Sequence, residues 1–211
     1  MTDLTDELDA GTVFRWLTAA AASVEREADV LTELDSAIGD ADHGSNLHRG
    51  FSAVVTALGK ESPGTPGAVL VLSGRQLVSS VGGASGPLYG TLLRRTGKAL
   101  GEAERVTGGQ LAEALRVGVD AVAQLGGAAR EDKTMLDALY PAVEALAAAG
   151  PDPYGAARTA ADDGAQATIP MLARKGRASY LGERSIGHKD PGAASSALLI
   201  TALAEVVVAD E

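Results

Sequence analysis

The chain has 211 residues and a formal net charge of −10, from 28 acidic and 18 basic side chains. That length suffices for one well-filled core and no break in composition divides it, so we expect a single domain over residues 1–211. The acidic charge repels phosphate backbones and anionic lipid headgroups, which argues against nucleic acid and membrane surfaces as partners.

The N-terminal segment does not resemble an export signal. Its first ten residues carry four acidic side chains, where a signal peptide would be basic and then apolar. We also identify no uninterrupted apolar segment of membrane-spanning length. The chain contains no cysteine, which excludes disulfides and thiolate metal sites and suits a reducing compartment. We therefore expect a cytoplasmic protein.

Apolar residues recur at helical spacing in four stretches, each forming one apolar stripe. In chain order these are Val13, Leu17, Ala20 and Val24; Leu47, Phe51, Val54 and Leu58; Leu136, Leu139, Val143 and Leu146; and Leu199, Leu203 and Val206. Helix breakers occupy residues 61–64, 81–83, 107–109, 125–127, 150–153 and 189–192. Only residues 68–72 and 206–208 read equally well as strand, and both lie inside helix-like stretches. The sequence predicts an all-α fold of about eight or nine antiparallel helices.

The most informative segment is residues 34–46, LDSAIGDADHGSN. Asp40 and Asp42, two apart on extended backbone, would point to the same side, and a turn at Gly39 would bring Asp35 over them. Three converging carboxylates imply hard divalent cations, and the spacing does not fit an EF-hand. Because magnesium takes further ligands from phosphates, the cluster implies a phosphorylated partner. The alternative is a solvated turn with helix-capping aspartates.

Two turns are candidate phosphate sites, because free N–H groups at a helix N-terminus favour anions. Residues 43–46 directly follow the aspartates and open the helix that carries Leu47 and Phe51. Residues 82–87, GGASGP, lead into a predicted helix over residues 88–100 that Ser85 could cap. The alternative for the second turn is a small-residue connection between packed helices.

Four motifs resemble the nucleotide-binding L subunit of dihydroxyacetone kinase. They are residues 35–46, 82–90, 132–137 (DKTMLD) and 176–193, from GRASYLGERSIGH to DPGA. The resemblance spans nearly the whole chain, and its first and last motifs are long and specific. It implies an antiparallel barrel of eight helices, with an adenine nucleotide (ADP or ATP) and two magnesium ions at one end.

The positions of this sequence that match the family's motifs imply which residues form the site. The metal ligands would be Asp35, Asp40 and Asp42, which with His43 form the catalytic group. The phosphates would contact His43, Gly44, Ser45, Asn46, Ala84 and Ser85; the adenine would contact Gly126 and Met135; and Arg177 with Asp190, Pro191 and Gly192 would close around the nucleotide. Core packing is the alternative for Met135, and a solvated basic face is the alternative for Arg177. His48 and His188 are expected to be surface or packing residues.

The resemblance also implies a phosphotransferase-system mechanism, in which ADP stays bound as a cofactor. A phosphohistidine on an M subunit would recharge it to ATP, and the γ-phosphoryl group would pass to dihydroxyacetone on a separate K subunit. Such a transfer needs positioning and charge neutralisation more than covalent chemistry. The chain has no room for a K-type domain, so we expect it to be inactive alone. A homodimer is a further alternative for its assembly.

Three other functions remain open at this point. The chain could be the lobe of an ATP-dependent kinase for another short-chain sugar, a nucleotide-loaded regulatory module that signals to a transcription factor, or a helical scaffold with incidental acidic turns. Nucleotide retained through purification would favour ADP as a permanently bound cofactor. Rapid exchange of the nucleotide would favour the ATP-dependent kinase. Absence of magnesium-dependent binding would leave the scaffold.

Overall fold

The computed structural model describes residues 7–148 and 150–209. In chain order the elements are β1 (Glu7–Asp9), α1 (Ala10–Arg26), α2 (Ala28–Ile38), α3 (His43–Glu61), α4 (Pro66–Ser80), α5 (Ser85–Leu100), β2 (Arg105–Thr107), α6 (Gly108–Gly126), α7 (Leu136–Ala147), α8 (Pro153–Ala167), a 3-10 segment η1 (Arg177–Ser185) and α9 (Pro191–Ala209). The predicted all-α class is confirmed, and both stretches that read equally well as strand are helical. The sequence does not predict the antiparallel β1–β2 ribbon, because three residues per strand are too few to show alternation.

Each predicted breaker lies at a helix boundary, and at several boundaries a cap satisfies free backbone groups. Thr107 opens α6 with a capping box: its Oγ1 accepts the Gln110 N–H at 3.2 Å, and the Gln110 side chain accepts the Thr107 N–H at 2.8 Å. Asp152 accepts the Gly155 N–H at 2.8 Å to open α8. The boundary between α1 and α2 at Glu27 has neither glycine nor proline, so the sequence gives no signal for it.

The helices form a closed barrel around one core. They pack mainly on their chain neighbours, and α9 returns to pack on α1. At that closure Trp16 of α1 is fully buried, and its indole Nε1 donates to the Leu199 carbonyl at 2.8 Å. This hydrogen bond gives the buried indole N–H a partner, as burial requires.

Helix α9 corrects the expectation that no segment is long and apolar enough to span a membrane. Pro191–Ala209 has 19 residues and a mean hydropathy of 1.8, which meets that criterion by length and composition. In the barrel, 56% of its most apolar stretch is buried, because α1, α7 and α8 pack against it. A helix apolar on nearly all sides is also what the centre of a large core requires.

Glycines allow α4 and α5 to approach closely. A Cβ at Gly97 would lie 2.5 Å from the carbonyl oxygen of Gly67, and one at Gly90 would lie 2.7 Å from that of Gly74. Both obstacles are backbone atoms, which can yield only if the helices separate.

We expect Gly97→Ala to lower the free energy of unfolding by about 1–3 kcal/mol through overpacking. The matched control is Gly59→Ala in α3, where an added Cβ meets nothing within 4 Å. Because alanine is the better helix former, the control should be stabilised by up to about 1 kcal/mol. Urea unfolding followed by circular dichroism measures both. Equal effects of the two substitutions would contradict this account of the α4–α5 contact.

Candidate active site

A cavity of about 420 Å³ opens at one end of the barrel. Its walls come from the C-terminal ends of α2 and α6, the N-terminal ends of α3, α5, α7 and α9, and the start of η1. Twelve of the predicted site residues line it: Asp35, Asp40, Asp42, His43, Ala84, Ser85, Gly126, Met135, Arg177, Asp190, Pro191 and Gly192. Four motifs that are far apart in the sequence therefore meet around one space.

The remaining three predicted residues lie in the first turn of α3 but do not line the cavity. Gly44 packs on α2, because a Cβ there would lie 1.9 Å from the Ala28 carbonyl oxygen. Ser45 donates its hydroxyl to the Asp42 carbonyl at 3.0 Å, and the Asn46 side chain accepts a hydrogen bond from Arg49 at 2.6 Å. Their contact with a nucleotide stays a prediction.

The three aspartates converge at the rim of the cavity. Asp35, Asp40 and Asp42 each place a carboxylate oxygen within 4.8 Å of the other two. Asp35 is buried at the end of α2, and its Oδ2 accepts the N–H groups of Asp42 at 2.9 Å and His43 at 3.2 Å. The buried carboxylate thus fixes the loop that carries the other two. An all-oxygen set of this kind suits a hard divalent cation.

The backbone conformation of this loop differs from the one that the sequence predicts. Asp40 and Asp42 do not lie on extended backbone, because Ala41 between them is left-handed, with φ of 61°. For alanine that conformation costs about 1 kcal/mol, and the two hydrogen bonds to Asp35 help to hold it. The predicted turn at Gly39 is present. A Cβ there would lie 2.0 Å from Asp35 Oδ1, so only glycine permits the close carboxylate.

Arg177 lines the cavity beside the aspartates. Its Nη2 is 3.0 Å from Asp40 Oδ2, and the two side chains are 66% and 36% exposed. An ion pair so open to water contributes little to stability. Arg177 therefore belongs to the site by position, although it is also as solvated as the basic-face alternative supposes.

His43 is the centre of a buried hydrogen-bond network. Its Nδ1 is 3.1 Å from Ser85 Oγ and its Nε2 is 2.8 Å from Ser195 Oγ. Burial lowers the pKa of His43, so the ring is neutral near pH 7, with one nitrogen donating and the other accepting. Ser85 does not cap α5 as predicted; its hydroxyl bonds His43 instead, and the helix begins after Ala84 without a capping side chain.

The network continues from α9 into α5. The Tyr89 hydroxyl is 2.7 Å from Ser195 Oγ and 2.9 Å from Ser196 Oγ, and it also donates to the Gly192 carbonyl at 3.2 Å. Burial raises the pKa of Tyr89 to about 12. Tyr89 falls inside the motif at residues 82–90 but has no distinguishing spacing, and Ser195 has no sequence signal at all. The network joins the N-terminal ends of α3, α5 and α9.

The cavity also has an apolar wall. It includes Val122, Leu125 and Gly126 from α6, Leu88 from α5 and Met135 from the start of α7. Met135 is buried and belongs to the main core as well as to the cavity lining. Core packing, the alternative for Met135, is therefore present, and its contact with an adenine stays a prediction. The cavity lining therefore combines acidic residues with apolar ones.

Asp190 caps the N-terminus of α9 from the cavity wall. Its Oδ2 accepts the Ala193 N–H at 2.7 Å, and its own N–H donates to Thr168 Oγ1 at 3.0 Å. Burial raises the pKa of Asp190 to about 7, against the opposing effect of the Ala193 hydrogen bond. A carboxyl with a raised pKa holds its proton in the folded state over a pH range where the unfolded chain has already lost it.

This pKa predicts a pH dependence of stability. Between about pH 4 and pH 7 the folded state binds more protons at Asp190 than the unfolded state, so this group's contribution to the free energy of unfolding falls as pH rises. Asp190→Asn removes that titration. Between pH 5 and pH 8 we expect the free energy of unfolding of the wild type to fall by on the order of 2 kcal/mol more than that of the variant. Urea unfolding of both proteins at the two pH values is the measurement; parallel profiles would contradict the assignment.

Comparisons with known proteins agree with this geometry. Residues 37–205 match the family model of the DAK2 domain. The chain is 46% identical over 198 residues to the ADP-binding subunit of the PEP-dependent dihydroxyacetone kinase of Escherichia coli, covering 91% of this chain and 94% of the relative. It is 39% identical over 200 residues to the ADP-binding subunit of PEP-dependent dihydroxyacetone kinase 1 of Listeria innocua, covering 95% and 98%.

The fold also matches a solved kinase. The crystal structure of the dihydroxyacetone kinase from C. freundii in complex with AMP-PNP and Mg2+ superposes with a TM-score of 0.71 at 29% identity. The match covers 93% of this chain and 33% of that one, so the chain spans about a third of that kinase's length. On the sequence match over most of its length and on this shared fold, the chain belongs to the DAK2 domain family.

Proposed function

We propose that the protein is the ADP-binding, phosphoryl-transferring subunit of a dihydroxyacetone kinase, with its single domain spanning residues 1–211. The observation that carries the proposal is the convergence of Asp35, Asp40 and Asp42 beside a cavity onto which helix N-termini open. In this proposal the chain receives a phosphoryl group from a phosphohistidine on an M subunit and passes it to dihydroxyacetone on a K subunit. All three subunits would be cytoplasmic.

The aspartates fit two magnesium ions by their chemistry. Three carboxylates within 4.8 Å of one another repel, and Arg177 offsets only part of that charge from the solvent side. Asp35, Asp40 and Asp42 would hold the ions. Magnesium bound there would neutralise the charge that gathers between donor and acceptor oxygens during phosphoryl transfer.

The rest of the cavity fits an adenine nucleotide. Helices α3, α5 and α9 begin at its wall, and the positive ends of their dipoles favour phosphate groups. The apolar wall with Gly126 and Met135 suits the base, and a volume of about 420 Å³ lies in the usual range for small-ligand pockets. An acidic chain would accept this anion only together with the cations described above.

Asp35, His43 and Arg177 each have a positioning task in this scheme. Asp35 holds the metal-binding loop by its two backbone hydrogen bonds. His43, neutral and fixed between two hydroxyl groups, orients the phosphate side of the site and does not act as a nucleophile. Arg177, weakly paired with Asp40, closes over the nucleotide from the rim. The phosphoryl group then stays on the nucleotide, with no covalent intermediate on this chain.

The test is native mass spectrometry of the purified protein. We expect a mass increment for one ADP and two magnesium ions that persists through gel filtration. Nucleotide that exchanges within minutes would instead favour an ATP-dependent kinase for a short-chain sugar. A protein that neither retains nor binds nucleotide with magnesium would contradict the proposed function.

Removing Asp40, which is exposed, or Asp42, which is half-buried, should abolish this binding. We expect Asp40→Ala and Asp42→Ala to weaken magnesium-dependent ADP binding by about a hundredfold or more, since each takes a ligand from the ions. The control is Asp163→Ala, which removes an exposed carboxylate on α8, away from the cavity. Isothermal titration with and without magnesium measures the loss, and circular dichroism should show unchanged helix content. Wild-type affinity in either variant would refute the metal assignment.

A further inference from the structure

Lys133 lies in the loop between α6 and α7 and is 1% exposed. Fully buried lysines are rare unless the ammonium group is satisfied. Here its Nζ donates toward five backbone carbonyl oxygens: Thr168 at 2.8 Å, Ile169 at 3.4 Å, Met171 at 3.1 Å, Ser185 at 2.8 Å and His188 at 2.5 Å. Three protons shared among five oxygens resemble the way that a cation is held by a ring of carbonyls.

The five carbonyls come from two short stretches that flank η1. Residues 168–171 follow α8 and residues 185–188 precede α9, so the ammonium holds together the two ends of the connection between those helices. That connection consists of turns and 3-10 helix and carries Arg177 to the cavity rim. It ends at the turn of Asp190 and Gly192, which also lines the cavity.

One further backbone bond joins the Lys133 loop to this connection, and two more bonds lie within the connection. The Arg174 N–H donates to the Asp132 carbonyl at 3.0 Å, and the Gly187 N–H donates to the Ile169 carbonyl at 2.8 Å. The Ala173 N–H donates to the Ser185 hydroxyl at 3.0 Å. The last two bonds lie next to the carbonyls that surround the Lys133 ammonium.

The loop adopts a costly conformation to aim Lys133 inward. Glu131 and Lys133 are both left-handed, with φ of 66° and 60°. Such residues persist only where their surroundings hold them. The buried Asp137 carboxylate does so by accepting the N–H groups of Glu131 at 2.5 Å and Thr134 at 2.8 Å.

Stability alone does not account for this arrangement. A buried charge loses its hydration, and apolar residues of similar volume commonly stabilise a core as well or better. Burial lowers the pKa of Lys133, and the Asp190 carboxylate opposes that shift. What the ammonium supplies, and an apolar side chain does not, is a fixed geometry for carbonyls from two separate stretches.

We propose that Lys133 is a positioning residue, whose ammonium group sets the place of Arg177 and of the turn at residues 190–192 relative to the bound nucleotide. The part that concerns nucleotide rests on the proposed function above. The part that concerns the segment of residues 172–188 does not, so the two are tested separately.

The first experiment compares Lys133→Met with Lys60→Met, which removes an exposed lysine of α3. Hydrogen exchange of residues 172–188 should become about tenfold faster or more in Lys133→Met, whereas the core helices α1 and α4 keep their protection. Lys60→Met should match the wild type throughout. Unchanged exchange in residues 172–188 of Lys133→Met would overturn the proposal.

Chemical rescue then separates the charge from the volume. The chain has no cysteine, so Lys133→Cys introduces a unique thiol. The variant is alkylated in urea with 2-bromoethylamine and then refolded. The thiolate sulfur forms a bond to carbon as bromide leaves, and the product carries an ammonium group on a side chain of lysine length. Iodoacetamide gives a neutral side chain of similar length. We expect only the aminoethylated protein to recover slow exchange at residues 172–188; equal recovery with both reagents would overturn the proposal.

The nucleotide arm uses a double-mutant cycle. Lys133→Met should weaken magnesium-dependent ADP binding about tenfold, and clearly less in an Arg177→Ala background, because the two residues act through one path. If the effects of the two substitutions on ADP binding are additive, Lys133 does not act through Arg177, and that part of the proposal is overturned. If the wild type binds no ADP, the proposed function fails while the exchange and rescue experiments still decide the role of Lys133.

Should both Lys133 variants fail to fold, the wild type itself provides the test. Its Ala173 and Gly187 amides, outside any α-helix, should exchange as slowly as core helix amides. Exchange at the rate of an open loop would show that the carbonyl ring does not hold the segment, and would overturn the proposal.

Discussion

Repulsion among three carboxylates is the constraint around which this end of the barrel is built. The fold brings their oxygens within 4.8 Å by using the most buried of them as an acceptor for backbone. Asp35 receives two N–H groups, and those bonds hold the left-handed Ala41 and the start of α3. Local strain and charge are thus concentrated at one short loop, which is where stored strain commonly accompanies function.

Two buried polar networks lie at this end of the barrel, and they differ in charge. Around His43 the network is neutral, made of a ring and hydroxyl groups buried between three helices. Around Lys133 it is cationic, and its acceptors are backbone carbonyls. The neutral network fixes helix ends, where dipoles already point at the cavity, and the cationic one fixes a segment without regular helix. Each is fully hydrogen bonded, as buried polar groups must be.

The sequence predicts the helices and the acidic cluster because their signals are local. Glycine and proline clusters such as residues 150–153 mark helix ends, and three aspartates in eight residues mark the site. The left-handed Ala41 is not predicted, since alanine ordinarily avoids that region. The contact of His43 with Ser195 joins residues 152 apart. The acceptors of Lys133 are backbone carbonyls, which every residue has, so no side-chain pattern identifies them.

The pairing of α9 with α1 governs how the barrel assembles. Trp16 donates to a carbonyl 183 residues later, so the contact that closes the ring is among the most distant in the described chain. During synthesis α3 and α4 can pack on α1 early, but the part of α1 that contacts α9 stays uncovered until α9 has emerged from the ribosome. Contacts of such sequence separation carry a large loop-closure entropy and slow folding. A nascent chain that ends before Pro191 therefore exposes the apolar surface that chaperones bind.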